Sequence, residues 1–136
     1  MFSTNKPSSN PNPHKILIVE DNLLFRRALM ERLQARFPSA IIDEAGDGSE
    51  ALRKVDILFP GIVFMDIRLP GVGGLQLTRR IKRDYPDIQV VILTDYDLPE
   101  YREAAFQYGA NWFIAKATVN LEEVVALVKS TLPNLS

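Results

Sequence analysis

The 136-residue chain contains no cysteine, one histidine and one tryptophan. Without cysteine there are no disulfides, no thiolate nucleophile and no cysteine–zinc centre. That composition fits a reducing, cytoplasmic setting. The only histidine, His14, sits in a segment rich in Ser, Asn and Pro. It gives no basis for a histidine metal site or a histidine general base. Neither sign of charge is in excess, with 16 basic against 17 acidic residues. Nothing in that balance draws the chain to nucleic acid or to an acidic membrane surface. Long apolar runs are also missing. Val124–Val128 is among the longest, far short of a bilayer span. Residues 1–14 lack the apolar core of a signal peptide.

What is present is a single domain's worth of globular sequence, 46% apolar and 24% charged. Residues 1–14 read as a flexible tail and residues 15–133 as the folded domain. From Lys15 onward, short apolar runs alternate with stretches of helical period. The runs are Ile16–Val19, Ile62–Met65, Val90–Leu93 and Trp112–Ala115. The first three are continuous and rich in Ile and Val, as in strands of a parallel sheet covered on both faces. A more polar strand near Ala40–Ala45 suits an edge.

Phe25, Ala28, Leu29 and Leu33 form one apolar helical stripe, and Leu121, Val124, Val125, Val128 and Leu132 another. Asn120 with Glu123 reads as a capping box. Leu75, Leu77 and Ile81 mark a helix after Gly73-Gly74. Another follows Pro99 and stops near Gly109, and a short one opens at Asp47-Gly48 and ends before Pro60. The sum is βαβαβαβαβα. Crossover helices between parallel strands cover both faces, which predicts a doubly wound α/β sandwich. Ligands in such folds bind at the carboxyl ends of the strands.

Those ends are informative. The first strand releases Glu20-Asp21, the third Asp66, the fourth Thr94 and the fifth Lys116. Clustered carboxylates raise one another's pKa unless a cation neutralises them. An all-oxygen set suits Mg²⁺, which binds through one or two carboxylates plus a phosphate. Phosphoryl transfer needs mainly positioning and charge neutralisation. Lys116 and the Thr94 hydroxyl would serve that purpose. Any one of these residues alone reads as a loop acid, a surface lysine or an ordinary strand threonine; their joint placement carries the argument. Gly73-Gly74 after Pro70-Gly71 reads as a turn, since the GxxxxGK[ST] phosphate loop is absent.

The segments KILIVEDN, VFMDIRLPGVGG, VVILTD and GANWFIAK resemble the receiver domain of bacterial response regulators, over about Lys15 to Leu132. The resemblance implies a five-stranded parallel sheet of order 2-1-3-4-5, the flavodoxin-like receiver fold, and a switch in two-component signalling. It implies that Asp66 is the phosphoacceptor, and that Asp21, Asp66 and the backbone carbonyl of Arg68 bind Mg²⁺. Glu20 would act mostly through metal-bound water. Thr94 and Lys116 would contact the phosphoryl group, and Thr94 with Phe113 would form the switch that repacks the surface of helix 4, strand 5 and helix 5. The implied partner is a sensor histidine kinase or a histidine phosphotransfer protein. Homodimerisation stays open, and no direct contact of this segment with nucleic acid or membrane is expected.

Some positions depart from the common pattern. Asp95 follows Thr94 where many receivers carry a small or apolar residue, and Arg68 and Tyr96 each lie two residues beyond a site residue. These three are candidates for tuning the rates of phosphorylation and hydrolysis. Ala117 follows Lys116 where many receivers have proline, which with LTDYD resembles LuxR/NarL-type rather than OmpR-type regulators. Trp112 reads first as a packed residue and second as a partner surface. Two other functions compete. A phosphatase of the haloacid-dehalogenase type would need a second acid where Arg68 stands. A pseudo-receiver would bind a partner without phosphorylation. The resemblance fits both a stand-alone receiver and the front half of a transcriptional regulator.

Overall fold

The computed structural model describes residues 10–135. It contains five strands, β1 (Asn12–Val19), β2 (Ile41–Ala45), β3 (Pro60–Met65), β4 (Gln89–Thr94) and β5 (Trp112–Ala115). They alternate with five helices, α1 (Leu23–Arg36), α2 (Gly48–Leu58), α3 (Gly74–Asp84), α4 (Pro99–Gln107) and α5 (Leu121–Thr131). All strand pairs are parallel and the order is β2-β1-β3-β4-β5, the expected doubly wound sheet with the more polar β2 at an edge.

The alternation of side chains along the strands feeds two cores. Ile16, Ile18, Phe64, Val91 and Leu93 meet Leu29 and Leu33 of α1 and Val124, Val125 and Val128 of α5. Leu17, Val19, Val63, Met65, Val90 and Ile92 face the other way, onto Val55 of α2, Leu77 and Ile81 of α3 and Ala105 of α4. Each fully buried Leu, Ile or Val contributes about 1.5–3 kcal/mol. These layers outweigh any single cap or ion pair, and they fix which strand ends lie together.

Helix starts follow local chemistry. The Asn22 side chain accepts the Phe25 amide at 3.1 Å, and Asp47 accepts that of Glu50 at 2.9 Å. Asn120 and Glu123 form the predicted capping box. Tyr108 caps the C-terminus of α4, and Gly109 follows in the left-handed region with φ +103°.

Three details differ from the sequence-based expectation. β1 begins at Asn12, not at the apolar run, because the Asn12 amide donates to the Phe59 carbonyl at 2.8 Å across an irregular stretch of the β1–β3 ladder. Residues 12–14, assigned to the tail by composition, are therefore in the strand. The rest of that expected tail, residues 1–9, lies outside the described residues. Ala28 is exposed, so the buried stripe of α1 narrows to Leu29 and Leu33 with half-buried Phe25. Trp112 is 44% exposed rather than packed. It is the first residue of an edge strand and points away from the core, which takes Phe113 in its place.

Candidate functional site

The last rungs of the ladder hold the site backbone. The Asp66 amide donates to the Val19 carbonyl at 3.0 Å, Glu20 to Ala45 at 2.9 Å, and Lys116 to Thr94 at 2.8 Å. Residues at the ends of four different strands are thereby fixed on one sheet edge. Glu20, Asp66 and Thr94 are buried and Asp21 is exposed. One carboxylate oxygen from each of Glu20, Asp21 and Asp66 lies within 4.8 Å of the others.

Lys116 bridges this cluster. Its Nζ bonds to Glu20 Oε1 and lies 3.2 Å from Asp66 Oδ2. Glu20 Oε2 accepts the Asn22 amide at 3.0 Å, and the Glu20 carbonyl accepts from Arg26 at 2.6 Å. Asp66 Oδ1 is buried without a hydrogen-bond partner. A buried carboxylate oxygen left unpaired is costly, so its position points to a cation or a donor supplied from outside the chain.

The electrostatics agree. Burial raises the Glu20 pKa to about 7, the neighbouring Asp66 charge adds to this, and Lys116 and the Asn22 amide pull it back. Burial alone would lower the Lys116 pKa, but its bonds and attraction to Glu20 and Asp66 raise it. The two shifts have one meaning. A pocket with three carboxylates and one ammonium carries excess negative charge and holds added positive charge tightly.

The other predicted residues surround this centre. The Thr94 side chain is fully buried and its Oγ1 accepts the Tyr96 amide at 3.2 Å. Phe113 is buried, with the Arg102 guanidinium 4.7 Å from its ring centre and Arg102 held at 3.2 Å by Asp97. The Arg68 guanidinium lies 4.3 Å from the Tyr96 ring centre. Asp95 is exposed to solvent.

Sequence reasoning missed several contributors. Arg26, Asn22 and Arg102 carry no individual signal, and Phe25, whose ring lies 4.5 Å from Lys116 Nζ, read as core alone. Gly74 was legible only as a turn residue. A Cβ there would stand 1.8 Å from the Asp66 carbonyl oxygen, so only glycine lets α3 start against the end of β3. A surface hollow lined by Arg27, Met30, Gln34 and Glu44 lies beside α1 and β2 and holds none of these groups.

Fold and site together define a doubly wound α/β domain with an acidic pocket and a lysine at the carboxyl edge of its sheet. The chain belongs to the response regulator receiver domain family, whose model matches residues 16–129. It is 34% identical over 113 residues to the response regulator GacA of Pseudomonas syringae pv. syringae, covering 83% of this chain and 53% of that protein. The chain thus spans about half the length of the curated relatives it matches. Among solved structures, it is similar to a LuxR-family two-component response regulator from Aurantimonas sp. SI85-9A1. That match has a TM-score of 0.77 and 32% identity, over 88% of this chain and 84% of that one. The signal receiver domain of a NarL response regulator from Mycobacterium tuberculosis gives 0.78 and 27%, over 91% of this chain and 99% of that one. The chain is accordingly a receiver domain of two-component signalling, similar to LuxR/NarL-type receivers.

Proposed function

We propose that the domain accepts a phosphoryl group on Asp66 from the phosphohistidine of a sensor histidine kinase or histidine phosphotransfer protein, and that Mg²⁺ assists. The observation that carries this reading is the unpaired, buried Asp66 Oδ1 beside the Lys116 ammonium. The donor set fits the ion: three carboxylates with convergent oxygens and no nitrogen or sulfur ligand suit a hard cation. Glu20, Asp21, Asp66 and the Arg68 carbonyl would hold it. When bound, it supplies charge neutralisation that lets an anionic donor approach anionic Asp66.

The chain's own residues do the rest. An Asp66 carboxylate oxygen attacks phosphorus, the P–N bond to the donor imidazole breaks, and the imidazole leaves as the neutral ring after taking a proton. Lys116 moves from its carboxylate contacts to a phosphoryl oxygen, and the Thr94 hydroxyl donates to another. Thr94 gives up its bond from the Tyr96 amide as it turns. That movement couples through the β4–α4 loop to Arg102 and Phe113, and so to the α4–β5–α5 surface that a partner or a second copy would read. Arg68 and Tyr96 shield the aspartyl phosphate from water, and Asp95 adds a nearby negative charge. In this role the domain catalyses only its own phosphorylation and dephosphorylation. In this role the domain works in the cytoplasm with its kinase, either alone or as the front half of a transcriptional regulator, and this segment itself makes no DNA contact.

The phosphatase alternative needs a second acid at position 68. An arginine stands there, exposed and stacked on Tyr96. The test is incubation with Mg²⁺ and acetyl phosphate, read by intact mass. The expected result is addition of one phosphoryl group, lost in Asp66→Asn. An unmodified protein, or equal modification of the variant, overturns the proposal.

A further inference from the structure

We propose that Phe25 is a positioning residue that holds the Lys116 ammonium for contact with the phosphoryl group; this rests on the phosphoacceptor role of Asp66.

Lys116 ends a long, flexible stem, and its side chain is only 8% exposed. Three groups confine the charged end. Glu20 and Asp66 bond to it, and the face of the Phe25 ring lies 4.5 Å away. The negative face of an aromatic ring attracts a cation, more strongly where water is excluded. The crevice lined by Glu20, Phe25, Leu29, Leu93 and Asp66 is too narrow to admit a water molecule.

The kind of attraction matters. A carboxylate or carbonyl in place of the ring would be a fixed acceptor whose bond must break when the ammonium transfers to a phosphoryl oxygen. The ring attracts the cation over its whole face and demands no single direction. Lys116 can exchange Glu20 or Asp66 for the incoming oxygen while keeping this third contact. A leucine or methionine of similar bulk would fill the core as well and would lack the attraction.

The placement of the ring is itself built into the site. Phe25 lies in the first turn of α1 and its amide is capped by the Asn22 side chain at 3.1 Å. The Asn22 amide in turn donates to Glu20 Oε2 at 3.0 Å. One helical turn therefore orients both the acid that bonds Lys116 and the ring that backs it. The ring also packs against the core layer containing Leu29 and Leu33, which limits its movement.

The test is a series at position 25 in the full chain: Phe25→Leu, Phe25→Tyr, and phenylalanines carrying increasing numbers of ring fluorines, which weaken the negative face at nearly constant shape. Phosphorylation by acetyl phosphate is followed as a function of donor and Mg²⁺ concentration. The expected result is a stepwise fall of the maximal rate with fluorination, reaching about three- to tenfold in Phe25→Leu. Phe25→Tyr should keep the wild-type rate, and the concentrations of donor and Mg²⁺ giving half the maximal rate should not move. Independently, ring-current shifts on the Lys116 side-chain protons should be present without any phosphodonor and vanish in Phe25→Leu. Equal rates across the series in a protein that is phosphorylated on Asp66 overturn the positioning role alone. Absent ring-current shifts overturn it on geometry. A wild-type chain that takes no phosphoryl group overturns both this role and the phosphoacceptor reading.

Discussion

The Arg68 guanidinium stacks on Tyr96, 4.3 Å from the ring centre, and joins the β3–α3 loop to the β4–α4 loop. Tyr96 meets Tyr101 of α4 edge-on, with ring centres 6.3 Å apart. The proposed role of this pair is to screen an aspartyl phosphate on Asp66 from water. Arg68→Ala and Tyr96→Ala should each shorten the phosphate lifetime about two- to fivefold, the worth of an exposed cation–π contact. The double variant should lose little more than either single one, since each removal already breaks the stack. Decay of the phosphorylated species by intact mass measures all three lifetimes. Fully multiplicative effects would mean that the two residues act separately.

The strand end next to α3 leaves no room for a side chain at Gly74. Gly74→Ala should cost at least about 3 kcal/mol in urea unfolding, because the Asp66 carbonyl cannot retreat without opening the β3 ladder. Gly71→Ala offers a contrast. Its strain is conformational only, with φ +78° and no atom close to an added Cβ, so its cost should be smaller.

Trp112 and Phe113 are sequence neighbours with opposite fates. Phe113→Ala should destabilise the domain by about 3–5 kcal/mol by opening a cavity between β5 and α4, while Trp112→Ala should cost less than about 1 kcal/mol. Because Trp112 is the sole tryptophan, its emission should be that of a half-exposed indole and should be quenched by acrylamide.

The pocket's excess of negative charge has a pH signature. The Glu20 pKa rises from its ordinary 4.5 to about 7 on folding, so the protonated acid favours the folded state. Its stabilising contribution is complete below pH 4.5 and is lost as the pH climbs to about 7. Glu44 acts in the opposite sense. Against the upward pull of burial, Arg26 and Arg27 lower its pKa, so its contribution disappears only below its ordinary 4.5. Metal-free protein should therefore melt at a lower temperature at pH 7.5 than at pH 5.5. Added Mg²⁺ should raise the melting temperature more at pH 7.5, where it no longer competes with a proton on Glu20. A Glu20→Gln variant should flatten the metal-free profile.

The architecture was legible because its signals are physically strong. Continuous Ile/Val runs, helical stripes and caps such as Asn120 with Glu123 depend on local periodicity and chemistry, and these placed every strand and helix. The pocket was legible because polar residues ended four apolar runs at once. What escaped depends on three-dimensional neighbours. Nothing along the chain tells that Ala28 faces solvent, that Trp112 and Phe113 divide as they do, or that the Asn12 amide finds the Phe59 carbonyl. Arg26 reads as one more surface cation until the sheet brings Glu20 and Glu44 beneath it.

The pocket is assembled from residues at the ends of β1, β3, β4 and β5, so Asp21 and Lys116 come from opposite ends of the chain. No single strand end carries even half of it, and its parts meet only when the sheet forms. Any ligand that occupies it therefore binds only the folded state, and its binding free energy is added to that of folding. Metal uptake then acts on the whole domain as resistance to unfolding, and to the proteases that cut unfolded chains. A site proposed to receive a signal would in this way also lengthen the life of the molecule carrying it.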